Sequence, residues 1–389
     1  MVRGEIVFAQ LMDFLPRPAF VACVRRYPGV RKLRGFSCRD QFLCMAFAQL
    51  SFRESLRDVE SCLRAMQPKL YHAGFRGKIS RSTLAYANQH RDWRIYHDFA
   101  QVLIQQARLL YSQEPFGVAL EKTAYALDST VIELCLSLFP WAHSQRQKSA
   151  VKLHTLVDLR GNIPCFIRVT TAKTPDCTVL DHVPIEAGAY YVMDRGYNDY
   201  QRLHRLTRAG AFFVVRGKTN LTFTRCRSRP VDADSGVRSD QIIRLKDRRT
   251  RCKYPDRLRR IHYYDSEHEK RFLFITNDFQ LPAIAIANLY RCRWQVELFF
   301  KWIKQNLRVR HFMGNSPNAV KTQIWIAIST YVLVAILKKS LQLPQSMSEI
   351  LQVLSVTLFE KTSLNAALFS QNQPNDEPLI SNQLRLFDL

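Results

Sequence analysis

Thr123-Ala-Tyr-Ala-Leu-Asp128-Ser-Thr130 and Tyr190-Tyr-Val-Met-Asp194-Arg-Gly-Tyr197 are the stretches on which the reading of this chain turns. Each is a short apolar and aromatic run, suited to a pleated surface, that ends in a single carboxylate. Lys152–Val157, Cys165–Thr171 and Ala211–Val215 are runs of the same kind, and Asp158-Leu-Arg-Gly-Asn162 supplies a turn between the first two of them. Helical spacing over 176–187 and 198–209 separates the later runs. The predicted order over 123–215 is β-β-β-α-β-α-β, a mixed α/β sheet. Asp128 leaves its first strand and Asp194 its fourth. If those strands are neighbours, both carboxylates emerge at one edge.

Working towards the C-terminus, 216–260 interrupts this order with 15 Lys plus Arg against five Asp. Pieces such as Gln241–Leu245 read as strands, so a β-rich insertion is expected. Its basic face suits a DNA backbone, and a solvated excursion is the alternative. After a strand at Phe272–Thr276, one long helix is predicted from Pro282 to Arg308. On it Tyr290, Arg293, Glu297 and Lys304 fall within an arc of about 60°. Leu289, Val296, Phe300, Ile303 and Leu307 form an apolar stripe beside them. The apolar run Ile324–Leu337 is too short to span a bilayer and reads as a buried helix.

Towards the N-terminus, residues 1 to about 110 read as helical. Ser37-Cys-Arg-Asp40 and Ser51-Phe-Arg-Glu54 have the form of helix-starting capping boxes. A further helix is predicted from Ser82 through Tyr86, Trp93 and Tyr96 to Leu110. The basic link Lys69–Arg81 allows a helix-turn-helix-like DNA reader, and a plain helical bundle fits equally well.

Bulk composition narrows the partners. The 389 residues carry 57 Lys plus Arg against 33 Asp plus Glu, a net charge of +24, which favours a polyanion, nucleic acid before a membrane surface. Ten cysteines without a Cys-x-x-Cys pair argue against zinc and against a disulfide framework, and for a cytoplasmic chain. The first residues lack the design of a signal peptide.

Two Asp residues at strand ends and a Glu on a later helix form a set able to hold divalent metal over a phosphodiester. Tyr290-x2-Arg293-x3-Glu297-x6-Lys304 resembles the Y-R-E-K motif of bacterial insertion-sequence DDE transposases of the insertion-sequence-four family. Asp194-Arg-Gly-Tyr197 looks like that family's second-Asp motif, and Asp128-Ser-Thr130 like its first. The resemblance covers about residues 120–340. It implies a ribonuclease-H-like fold with a β-rich insertion, together with an N-terminal helical domain and C-terminal helices. The implied divisions are 1–115, a helical DNA-end-binding domain; 120–215, the first part of the core; 216–280, the basic insertion; 281–340, the core helix and its successor; and 341–389, C-terminal helices, a polar linker and a terminal peptide.

Function follows from the same resemblance. A DNA transposase would bind the element's ends, cleave them and join the 3′ ends to target DNA in cut-and-paste transposition. Asp128, Asp194 and Glu297 would hold two Mg²⁺, with Mn²⁺ as a substitute and Asp128 as the bridging ligand. Tyr290, Arg293, Lys304, Arg195 and Lys301 would contact DNA. Paired ends imply a homodimer, and a bacterial protein acting on DNA implies cytoplasm and nucleoid. A nuclease without joining activity and an inactive DNA-binding derivative are the alternatives. The family's hairpin step uses a stacking aromatic; the insertion has no Trp, and Phe223, Tyr254, Tyr263 or Tyr264 would have to serve. Finally, Gln383, Leu384, Leu386 and Phe387 lie in a Gln-Leu-Arg-Leu-Phe tail that resembles peptides docking on the DNA-polymerase sliding clamp.

Overall fold

The computed structural model describes residues 6–27, 35–134, 139–142, 149–232, 234–306 and 312–369. Helices come first: α1 (Val7–Asp13), α2 (Arg17–Arg25), α3 (Cys38–Leu50), α4 (Leu56–Ala65), α5 (Gln67–Leu70), α6 (Arg81–His90) and α7 (Arg94–Leu110). A mixed segment follows with β1 (Ala124–Leu134), β2 (Ser149–Asp158), β3 (Ile163–Thr171), β4 (Tyr190–Met193), α8 (Tyr200–Arg208) and β5 (Phe212–Arg216). Then come β6 (Phe223–Arg229), β7 (Val237–Leu245), α9 (Arg248–Lys253), β8 (Leu258–Asp265) and β9 (Lys270–Thr276). Helices α10 (Ala283–Arg291), α11 (Trp294–Asn306), α12 (Pro317–Ser340), α13 (Met347–Thr357) and α14 (Leu364–Phe369) complete the described chain.

The strands form one sheet in the order β3-β2-β1-β4-β5-β9-β8-β7-β6. β1 is antiparallel to β2 and parallel to β4, β3 is antiparallel to β2, and β5 is parallel to β4. This is the mixed sheet that the strand order predicts and the ribonuclease-H-like fold that the resemblance implies. The basic segment is no separate body: β9 pairs antiparallel with β5, and β8, β7 and β6 extend the same sheet.

Both faces of the central strands are covered, which explains their uninterrupted apolar runs. Tyr190 and Val192 point into a core shared with Ala124, Ala126 and the helices, while Tyr191 and Met193 point into a second core with Leu203, Leu206 and Phe213. Among the described residues, α12 is the one unbroken helix long and apolar enough to cross a bilayer. Since 94% of its apolar window is buried, it is the internal helix that the sequence predicts. It packs against α3, α6, α7, α11 and α13, so N- and C-terminal helices share a core.

Local chemistry moved several predicted boundaries. Ser37 and Asp40 do form a capping box. Ser51 instead closes α3, and the next box is Ser55 with Asp58, because Phe52 turns the chain with φ 56°. The predicted Ser82–Leu110 helix is two helices. Arg91 is extended there (φ −80°, ψ 136°), with its guanidinium donating to Ser37 O at 2.7 Å, and Asp92 Oδ1 accepts from the Arg94 N–H at 2.9 Å to start α7. Residues 176–187 contain only a 3₁₀ stretch, Asp176–Asp181, with Pro184 soon after it.

Candidate active site

β1 does not end at Asp128. Its pairing with β2 continues to Leu134 opposite Ser149, so Asp128 lies inside the strand. The neighbour β4 is what stops: the last parallel pair is Leu127 opposite Met193, and Asp128 and Asp194 are the next residue on each chain. Side chains alternate along a strand, so Asp128 falls on the Ala124–Ala126 face and Asp194 on the Tyr190–Val192 face. That face packs against Ile286, Leu289, Val296 and Phe299 of α10 and α11.

The predicted long helix is broken at Cys292 and Arg293, and the arc computed on an unbroken helix does not apply. The chain turns tightly there, with the Arg293 N–H donating to Tyr290 O at 3.0 Å and the Val296 N–H to Arg293 O at 3.1 Å. Arg293 turns inward from this break. One of its nitrogens donates to Asp128 Oδ2 at 2.6 Å and another to Glu297 Oε1 at 2.5 Å. A single guanidinium therefore ties the central strand to the first turn of α11.

The electrostatics are those of a crowded acidic site. Burial pushes the Asp128 carboxyl up to about 6; Glu297 and Asp194 push the same way, while the Ser129 N–H and Arg293 oppose them. Burial alone would make Arg293 less basic, but Tyr290, Glu297 and Asp128 together hold its pKa above the ordinary arginine value. Negative charge in excess of its one buried counter-ion favours a bound cation.

Tyr290 is only 7% exposed, its ring 4.7 Å from that of Phe274 and beneath the Arg293 guanidinium at 5.6 Å. Burial raises its phenol pKa, with the Arg293 guanidinium acting the other way. Arg195 is exposed in the turn after Asp194, Lys301 is exposed one turn beyond Glu297, and Lys304 is half-buried in the last turn of α11. Of the aromatics named for stacking, Tyr254 is fully buried and shares a hydrogen bond with Thr207, so it cannot serve. Phe223 lies under Arg260 and Tyr264 under Arg238. Leu307 and the tail residues Gln383, Leu384, Leu386 and Phe387 lie outside the described residues.

Two acidic groups went unnoticed in the sequence. Asp176 Oδ1 accepts from Ser129 Oγ at 2.7 Å and from Lys152 Nζ at 3.0 Å, on the strand position next to Asp128. Helical spacing over 176–187 gives no reason to bring it to β1, and the Asp-Cys-Thr order carries no signal. Asp265, Glu267 and His268 at the β8–β9 turn are, among the described residues, the three ligand-type side chains with donor atoms all within 4.8 Å. The trio Asp128, Asp194 and Glu297 is more open than that, with Arg293 between two of its members.

Residues 119–333 match the family described as Transposase DDE domain, and residues 3–76 match a domain of unknown function. The chain is 34% identical over 244 residues to y4zB of Sinorhizobium fredii, named as a transposase, covering 62% of this chain and 68% of that one. It is 31% identical over 214 residues to a protein of Geobacillus stearothermophilus named as a transposase for insertion sequence element IS5377, covering 54% and 56%. A Synechocystis protein named as a transposase for insertion sequence element IS4SA is 24% identical over 320 residues, covering 78% and 85%. Among solved structures, a piggyBac transposase synaptic complex with hairpin DNA aligns with 95% of this chain and 81% of its own at a TM-score of 0.42 and 10% identity.

Proposed function

The chain belongs to the DDE transposase family and is a DNA transposase that uses divalent metal, and on that premise we propose that it moves its element by cut-and-paste. It binds the element's two ends, cleaves them by phosphodiester hydrolysis and joins the 3′ ends to target DNA. The observation that carries this reading is the convergence of three acids: Arg293 bonds Asp128 and Glu297, and Asp194 follows the last strand pair beside Asp128 and raises its pKa.

The donor set fits Mg²⁺, with Mn²⁺ as a substitute: three carboxylates, hard oxygen ligands without thiol or imidazole among them. When bound, two ions would activate the attacking oxygen and stabilise the leaving 3′ oxygen. Asp128, beside Asp194 in register and sharing Arg293 with Glu297, would hold both ions, with Asp194 and Glu297 each holding mainly one. Arg293 has a fork that suits two phosphate oxygens as well as two carboxylates. DNA phosphate entering the site gives it a new partner and frees the carboxylates, so metal and DNA loading support each other. Tyr290 supports the guanidinium from below. Arg195, Lys301 and Lys304 hold the backbone on either side.

The remaining assignments belong to the same proposal. Residues 1–115 recognise the ends, and the basic strands of 216–280 grip backbone. Two copies of the chain assemble on paired ends, in the bacterial cytoplasm at the nucleoid. The tail Gln383–Phe387 docks on the sliding clamp; deleting Gln383–Leu389 should abolish clamp binding while sparing cleavage.

The test is strand transfer into plasmid from labelled duplexes carrying the element's ends, with Mg²⁺ or EDTA, for the wild type and Glu297→Gln. Metal-dependent joining that the variant loses is expected. End binding without any cleavage, under conditions that assemble paired ends, would defeat the proposal, and cleavage without joining would reduce it to a nuclease.

A further inference from the structure

Helix α6 presents an unused polar face on a rigid base. Leu84, Ala87 and Asn88 are buried, and α6 packs on α3, α4 and α12. The Asn88 carboxamide accepts from Gln41 Nε2 at 2.8 Å, and Asn318 Nδ2 donates to Asn88 O at 2.9 Å and Arg91 O at 2.6 Å, which pins the C-terminal end of the helix. Opposite this anchored side, Gln89, Ser82, Tyr86 and His90 are exposed within an arc of about 100°. Tyr86 is 65% exposed, and the His90 ring stacks on it at 4.1 Å. What sets Tyr86 apart from other exposed aromatics is that it shares one helix face with His90 and borders a basic cleft.

The surroundings state the partner's charge. A cleft of about 930 Å³ runs beside this face, lined by Arg76, Lys78, His90 and Arg94 as well as by Tyr86 and Trp93. The acids that line it are Asp92, paired with Arg94 at 3.2 Å, and Asp40, buried in the cap of α3. Arg91 is spent on the chain's own carbonyls. Arg76 and Lys78 are exposed on the loop that enters α6. Cations at the rim, amide, hydroxyl and aromatic groups on the helix between them: that division suits phosphates outside and base edges inside.

Resting on the reading of residues 1–115 as the end-binding part, we infer that α6 is the helix that enters the major groove of double-stranded DNA and reads the element's ends through Ser82, Tyr86, Gln89 and His90. Arg76, Lys78 and Arg94 hold the flanking phosphates. From Ser82 to His90 the helix rises about 12 Å, which spans three or four base pairs at about 3.4 Å each. α6 therefore reads one short block of each end, and Gln89 has the adenine-reading carboxamide in that block.

The test uses the full chain and measures the ratio of affinities for an end duplex and a scrambled duplex by fluorescence anisotropy. Ser82→Ala/Tyr86→Ala/Gln89→Ala should lower that ratio by about tenfold or more with its melting temperature unchanged, since all three side chains are exposed. Gln89→Lys should shift preference towards guanine at one position inside a block of three or four base pairs, a gain that misfolding cannot mimic. In parallel, end duplexes with a photoreactive base at each position map where they touch the wild type. Crosslinks within residues 1–115 with the ratio unaltered in the triple variant overturn the assignment of α6 alone. Crosslinks confined to the β6–β9 strands overturn the end-binding reading on which it rests.

Discussion

At the scale of single residues, Arg293 matters most. It donates to Asp128 and Glu297 at once, and a lysine there would offer a point charge without the fork. Arg293→Lys is therefore expected to lower the joining rate about tenfold or more, with a smaller effect on end binding, measured as joined product per unit time at saturating DNA. The residue types at this site were legible in the sequence, because carboxylates that close apolar runs and a spaced Arg–Glu pair are unusual patterns. That Arg293 reaches Asp128, 165 positions away, was not legible, since it depends on where the chain breaks its helix. A second residue gives a pH prediction. His154 is fully buried, with Nε2 on Thr170 Oγ1 at 2.9 Å, and burial depresses its pKa to about 4, helped by Lys152 and Arg168 and opposed by Asp176. Its folded pKa lies below the unfolded value of about 6.5, so the unfolded chain takes up the proton first. The stability is fully present above about pH 6.5 and falls as pH drops towards 4, by about 3 kcal/mol in all. Urea midpoints between pH 7 and 4.5 should show this slope, and His154→Leu should flatten it.

At the scale of elements, propensity and pattern located the central strands well, and their ends poorly. β1 runs seven residues beyond Leu127 because β2 keeps pairing with it, an interaction between segments that no local window contains. The insertion was legible as basic and β-rich, and its union with the core sheet was not, because β9 reaches β5 across sixty residues of chain. What holds that extension includes a buried ion pair. Arg259, 1% exposed, donates to both Asp240 oxygens at 2.9 and 2.7 Å and to Leu281 O at 2.6 Å. Arg259→Met would leave the buried Asp240 carboxylate to Arg229 at 3.7 Å, without its fork of two hydrogen bonds, and is expected to cost about 3 kcal/mol. Arg259→Met/Asp240→Leu should recover much of that loss, as read from denaturant midpoints. The turn Asp158–Asn162 was predicted correctly, and it reaches further than a turn needs to. Gly161 has φ +75°, and a Cβ there would run into the Tyr111 ring, whose hydroxyl donates to Ala335 O at 2.8 Å. Gly161→Ala should destabilise by about 2–4 kcal/mol, because strain and overpacking fall on the same atom; a thermal melt checks it.

At the scale of the molecule, charge and core act together. With a net charge of +24, DNA affinity should fall steeply with salt, by about a thousandfold or more between 50 and 200 mM if six or more phosphates are contacted. A shallow dependence would count against the basic strands and the helical block both gripping backbone. The N-terminal helices, α12 and one face of the sheet share a continuous core, so these parts support one another even where their tasks differ. By itself the sequence determined the kinds of group and their order along the chain: apolar runs that each end in a carboxylate, Asp128 and Asp194, a later Arg293–Glu297 pair, a basic insertion and helices at both ends. Those follow from side-chain chemistry and short-range periodicity, which a single chain displays openly. Only the tertiary structure decided that β4 stops where β1 continues, that the helix breaks at Arg293, and that one guanidinium bridges the two acids. Each of these is settled by contacts between segments far apart in the chain, where pairing and burial outweigh the preference of any local stretch.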